Sequence, residues 1–139
     1  MKTQIRILLA VSLFSLAARG AELRLGTAAV SINPPPGIGL AGYYHERGND
    51  GVLDDLLAKA VVLDDGQTRA AIVVCDLISM PNWITRDARQ LVQQSTGIPG
   101  TNVMIAATHT HTAPVLYREW SRDETDGGGK SISRDYSRT

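Results

Sequence analysis

Apolar positions along the chain fall into short runs divided by strong breakers, and their spacing changes from run to run. Leu23, Leu25, Ala28, Val30 and Ile32 read as a first strand over 23–32, and Asn33-Pro34-Pro35-Pro36-Gly37 stops it, because prolines cannot donate to a β-ladder. Residues 38–44 are Gly-containing turning chain with Tyr43 and Tyr44, and 45–55 is mostly polar, with Gly48 and Gly51, as expected of a surface loop. Two apolar runs, Leu56 to Leu63 and Thr68 to Asp76, then flank Asp64-Asp65-Gly66-Gln67. An Asp-Gly pair in that setting predicts a β-hairpin, since glycine takes the positive φ that the turn requires. The uninterrupted apolar stretch from Ala70 to Cys75 is the pattern of a strand covered on both faces.

Beyond Asp76 the period lengthens. Ile84, Ala88, Leu91 and Val92 share one side of a helix predicted over 81–96, with Pro81 or Asn82 at its start and Gly97 as its stop. A turn at Pro99-Gly100 leads into a short apolar strand, Val103 to Ala107. A helix joining two apolar strands is the pattern of a right-handed crossover. The fold class expected is therefore α/β, a mixed β-sheet flanked by helices. The stretch from Ser131 to Thr139 offers only Ile132 and Tyr136 for burial, so it is not expected to close a core, and the chain reads as a partial domain. No internal repeat is visible.

The opening of the chain follows a different rule. Lys2 and Arg6 precede a nearly unbroken apolar stretch from Ile7 to Ala18, and Ala18-Arg19-Gly20 places small residues where a signal peptidase reads them. Residues 1–20 are expected to be a secretory leader and 21–139 the mature part, secreted or periplasmic. At about 12 residues the apolar stretch is shorter than the roughly 17–25 that span a bilayer, so no transmembrane segment is expected. The lone Cys75 cannot form an intramolecular disulfide and sits in an apolar run, where it reads as core. Fourteen basic and fourteen acidic side chains balance to a formal charge of zero, with no basic stripe interleaved with aromatics, which argues against nucleic acid as a partner.

Chemistry concentrates where the last apolar strand ends. Val103 to Ala107 runs into Thr108-His109-Thr110-His111-Thr112-Ala113-Pro114, and two of the chain's three histidines lie within three residues. In α/β sheets, catalytic and ligand-binding groups gather just past the carboxyl ends of strands. On extended chain, imidazoles at i and i+2 point to the same side and converge on one metal ion or one developing charge, with the threonines placed to orient ring nitrogens. Alternatively, the pair is a surface feature of a secreted binding or structural domain without catalysis. Asp76 ends the preceding strand and is a candidate to orient a histidine, bind a metal or cap the following turn. His45, Glu46 and Arg47 are either a substrate-facing cluster or a solvated loop. The run 123–129 lacks the ligand spacing of an EF-hand and reads as a flexible connection.

Several stretches together resemble the amino-terminal domain of the neutral/alkaline non-lysosomal ceramidases. They are Gly26 to Pro35, the Leu40-Ala41-Gly42-Tyr43 turn, Leu56 to Gly66, Cys75-Asp76-Leu77, and Asn102 through His109-Thr110-His111-Thr112-Ala113-Pro114. The resemblance runs from Leu25 to about Arg118, and the His-Thr-His segment with its trailing Pro114 is its most specific part. It implies a zinc amidase that cleaves the N-acyl bond of ceramide-like lipids to sphingosine and fatty acid, with contact to a membrane surface through the lipid. By position, His109 matches the zinc-ligating first histidine and His111 the second, which helps hold the oxyanion. Where that family usually carries Ser-Gly after the second histidine, this chain carries Thr112-Ala113. The family's remaining zinc ligands lie beyond the matching segment, so the 139-residue chain alone is expected to be inactive.

Overall fold

The computed structural model describes residues 22–117 and 130–139. The leader expected over 1–20 and the run 123–129 lie outside the described residues.

The hairpin forms where the Asp-Asp-Gly signal stands. The Asp64 carboxylate accepts the Gly66 N–H at 2.7 Å, and Asp65 Oδ1 accepts the N–H groups of Gln67 at 2.9 Å and Thr68 at 2.7 Å. Those last two backbone bonds hold the Asp65 carboxyl below its usual range. Gly66 sits at φ +87°, a conformation that costs a residue without a Cβ little. The turn joins β2 (Leu57–Asp64) to β3 (Arg69–Cys75), and β1 (Arg24–Ser31) pairs antiparallel with the far side of β2.

From β3 the chain passes through α1 (Asn82–Thr96) and a single 3-10 turn, Gly100–Asn102, into β4 (Val103–Ala107), which pairs parallel with β3. Pro81 precedes the first helical residue at φ −60° and ψ 143°, and Gly97 closes the helix at φ 73° with its N–H on the Gln93 carbonyl. Both ends are where Pro and Gly are expected to stand. The sheet order is β1-β2-β3-β4, a mixed sheet, and a second helix, α2 (Ser131–Tyr136), follows.

Strand register sorts the sheet into two faces, because residues directly opposite one another point the same way. Val62, Ala71 and Val103 align on one face, and Val61, Ile72 and Met104 align on the other. Ala71 and Val103 are buried with Ile98, packed by Val92 of α1, while Cys75, Leu77, Ala113 and Leu116 form a second cluster with Ile84 of α1 and Tyr136 of α2. Both described helices therefore serve the same face. Across the sheet, Val61 is 36% and Met104 51% exposed, and no described element covers them.

Two expectations need correction, and a third holds with one buried exception. The apolar run in β3 predicted cover on both faces, yet only Ala71 and Cys75 are buried, and Ile72 and Val74 on the opposite face stay half-exposed. The run is apolar enough for two layers, and the described chain supplies one. The surface loop expected over 45–55 is exposed except at Asn49, whose amide donates to the Pro34 and Pro35 carbonyls, and in the turning chain before it Ile38 and Ala41 are buried while isolated bridges join Gly39 to Gly48 and Leu40 to Pro114. The stretch after 130 also does more than expected. Tyr136 packs its ring against the second cluster and donates its hydroxyl to the Ile32 carbonyl, Ser133 is fully buried, and Ser137 Oγ accepts the Tyr117 N–H at 2.9 Å. One amphipathic ring and small polar residues achieve what a count of apolar residues does not register.

Candidate functional site

β3 and β4 run parallel and finish side by side, at Cys75 and Ala107. The chains leaving those ends are stitched together. Thr108 N–H donates to the Cys75 carbonyl at 3.0 Å and Thr110 N–H to the Leu77 carbonyl at 3.1 Å. On the opposite flank the loop meets residues 39–42: Ala41 N–H donates to Ala113 O at 2.7 Å, Thr112 N–H to Ala41 O at 3.0 Å, and Val115 N–H to Gly39 O at 2.8 Å. The His-Thr-His loop is thus clamped between the exit of β3 and a turn that precedes β2 in sequence. Ala113, Pro114, Val115 and Leu116 behind it are buried, while both histidines are exposed.

The loop is not extended. His109 lies at φ 62° and Thr112 at φ 66°, the two non-glycine residues with positive φ among the described residues. Histidine visits this region more readily than most residues, whereas for a β-branched threonine it is an outlier held by its surroundings. The expectation that alternation on extended chain aligns the two rings is therefore wrong in its reason. The rings still come together, with centroids 5.5 Å apart and planes at 71°, because the left-handed turn at His109 redirects the chain.

Each ring is placed by a different partner. His109 Nδ1 lies 2.9 Å from the Ile78 carbonyl oxygen. A carbonyl only accepts, so Nδ1 carries the proton and the neutral ring keeps its lone pair on Nε2. His111 rests on Gly42, which sits at φ +93°; a methyl carbon built on Gly42 would fall 2.3 Å from His111 Nδ1 and 2.5 Å from Cγ. The Nδ1–Cγ edge therefore faces the turn and Nε2 lies on the far edge. The sequence reading gives no site role to Ile78, through its carbonyl, or to Gly42. The signal available for Gly42 is its place in the Leu40-Ala41-Gly42-Tyr43 turn, which marks a bend but not its neighbour.

The threonines hold the loop rather than the rings. Thr108 Oγ1 bonds to Thr110 Oγ1 and donates to Asp76 Oδ1 at 3.3 Å, and Thr112 Oγ1 donates to the His111 carbonyl. Asp76 divides its carboxylate between Thr108 and the Leu57 N–H, 3.0 Å from Oδ2, while its own N–H donates to Leu57 O. It ties β2, β3 and the loop, and its carboxylate bonds neither a histidine nor the turn that follows it. His45 is exposed beside the Tyr43 ring, Arg47 stacks over that ring and donates to its hydroxyl at 2.9 Å, and Glu46 pairs with Lys130. None of these contacts joins two of the three residues. Burial pushes the Cys75 thiol up, with the Asp76 charge adding to the effect, as fits a core residue.

Two clefts flank the loop. One, of about 760 Å³, is largely apolar and is lined by Cys75, Leu77, Met80, Ile84, Leu116 and Tyr136. The other, of about 730 Å³, is lined by Asp50, Asp54, Asp55, Asp76, Thr110 and Thr112. Neither is lined by a histidine ring: the second reaches the loop at Thr110 and Thr112, and the first meets the chain just past it, at Leu116. Among the described residues no three His, Cys, Asp or Glu side chains gather closely enough to hold a metal ion. Nor is any helix among them long and apolar enough to cross a membrane.

Solved structures share this fold. The chain is similar to the neutral ceramidase from Pseudomonas aeruginosa, with a TM-score of 0.60 and 26% identity over 66% of this chain and 16% of that one. A ceramidase complexed with C2 matches with the same TM-score and identity, over 66% of this chain and 15% of that one. No family model and no curated protein matches the sequence. The described architecture is ceramidase-like, as the resemblance in the sequence implied, and the chain spans about a sixth of the length of the structures it matches.

Proposed function

We propose that this chain forms the amino-terminal part of a zinc-dependent amide hydrolase acting on ceramide-like lipids, exported beyond the cytoplasm. The observation that carries the reading is the state of His109: its Nδ1–H is spent on the Ile78 carbonyl, so Nε2 is left as an aimed lone pair on an exposed ring. A backbone carbonyl behind the outer nitrogen is the arrangement that fixes the tautomer of a zinc-binding histidine. The donor chemistry fits one ligand of a zinc site, and a catalytic site takes about three from the protein. The others would come from outside the described residues.

Zinc in such a site supplies a nucleophile at neutral pH and polarises the acyl carbonyl. The chain's own residues do the placing. Ile78 and the left-handed turn hold His109, and the clamp between β3 and residues 39–42 holds the backbone between the two rings. His111, with its Nε2 edge turned away from Gly42, donates toward the oxygen of the amide as negative charge develops there. The apolar cleft behind Leu77 and the ceramidase-like fold support a lipid as the acyl donor.

The test uses a full-length version of the protein. His109→Ala removes a ligand, so bound zinc and turnover fall together. His111→Ala leaves zinc bound and slows turnover by about 10²–10³-fold, the usual loss for one oxyanion donor. Metal analysis beside steady-state kinetics separates the two. Full zinc and full activity in both variants would favour a non-catalytic binding domain with solvent-facing histidines. The 139-residue chain alone is expected to release no fatty acid from ceramide above a metal-free control.

A further inference from the structure

We propose that Gly42 is the positioning residue of His111: the bare Cα of the turn is the seat on which the Nδ1–Cγ edge of the imidazole rests, so that only the Nε2 edge is presented by the loop. The seat itself rests on geometry, and its meaning for catalysis rests on the role given above to His111.

Two independent demands meet at this glycine. Its φ of +93° lies where side chains are disfavoured, and a Cβ there would meet His111 Nδ1 at 2.3 Å, Cγ at 2.5 Å and Cβ at 2.9 Å. The other described glycines with positive φ, Gly37, Gly66 and Gly97, carry only the first demand or a mild form of the second: nothing lies within 4 Å of the first two, and an arginine nitrogen lies 3.4 Å from the third. At Gly42 the atoms in the way include Cγ, which cannot swing aside without changing the side-chain rotamer, and Cβ, which the loop's backbone fixes. The loop's backbone cannot retreat either, because Ala41, next to Gly42, is bonded to Thr112 and Ala113 just after His111, and Thr110, just before it, is bonded to Leu77. Any side chain at position 42 must therefore push the imidazole into another rotamer, and the Nε2 edge goes with it.

That makes a measurable distinction. The backbone penalty of a residue at φ +93° is the same whether or not an imidazole is present, whereas the two closest clashes, with Nδ1 and Cγ, exist only with His111 in place and only the 2.9 Å contact with Cβ remains in His111→Ala. Thermal unfolding of the 139-residue chain is compared for Gly42→Ala, His111→Ala and the double variant. The loss of Tm caused by Gly42→Ala is expected to be at least about two-fold larger in the His111 background than in the His111→Ala background, the non-additivity of residues in contact. Equal losses would reduce Gly42 to a backbone requirement and overturn the proposal. Should Gly42→Ala not fold, the unsubstituted chain decides the matter by NMR. One Gly42 Hα is expected to show a nuclear Overhauser contact to the His111 side chain and to change its chemical shift in His111→Ala. No contact and no shift would overturn the seat. Neither measurement needs zinc or substrate, so failure of the seat and failure of the amidase reading are told apart.

Discussion

Val103 and Met104 are neighbours in β4, both apolar and both hydrogen-bonded into the same parallel ladder, yet one is 3% and the other 51% exposed. The difference belongs to the two faces of the sheet. On the Val103 side, α1 and α2 close over the strands and over Ala113 and Leu116 behind the histidine loop. On the Met104 side the row Val61, Ile72 and Met104 has hydrophobic character without cover. Apolar composition along a strand thus states what the strand can bury, and the layer laid against it decides what it does bury.

Substitutions can break this comparison, and the largest effect belongs on the covered face. Val103→Ala removes two buried methyl groups and leaves a cavity beside Ala71 and Ile98, and is expected to cost about 2 kcal/mol in urea unfolding. Tyr136→Phe should cost about 1 kcal/mol by leaving the Ile32 carbonyl without its donor. The same tyrosine gives a pH signature. Burial, and secondarily the nearby Cys75, pushes its hydroxyl from an ordinary value of 10 up to about 12. The folded state holds that proton more tightly than the unfolded state, so the stabilisation is complete below pH 10 and is lost as pH rises from 10 towards 12. Melting temperatures of the parent chain should therefore fall across that interval by more than those of Tyr136→Phe. Met104→Ala is the smallest effect, within about 0.5 kcal/mol in the 139-residue chain. A loss there as large as that of Val103→Ala would mean that the open face is packed in solution, and the contrast between the faces would collapse.

The sequence made the covered layer legible wherever the cause was local. Asp64-Asp65-Gly66 makes its own turn, Pro81 and Gly97 bracket α1, and Val103 to Ala107 is a strand at the residues named for it. What escaped depends on chain far away. Tyr136 is anchored by Ile32, Asn49 by Pro34 and Pro35, and Ala41 by Ala113, none of which is marked by spacing. The site divides in the same way. His109 and His111 stand out as a pair past the end of a strand, but the left-handed turn, the Ile78 carbonyl and the Gly42 seat are properties of the assembled backbone. The threonines, which looked like partners for the imidazoles, are engaged with Asp76, with the backbone and with one another.

The clamp on the histidine loop has a consequence for the order in which the molecule assembles. β2 and β3 pair antiparallel and close through a tight turn, so that ladder needs little of the chain. The loop's fasteners reach across 31 residues to Ile78 and 32 to Asp76, and farther still to Ala41. Contacts of long sequence separation bear the larger loop-closure entropy and form late. The two imidazoles acquire their geometry only after the β2–β3 hairpin stands, and in native-state hydrogen exchange the amides of Thr108, Thr110 and Thr112 should open at lower free energy than those of the β2–β3 ladder.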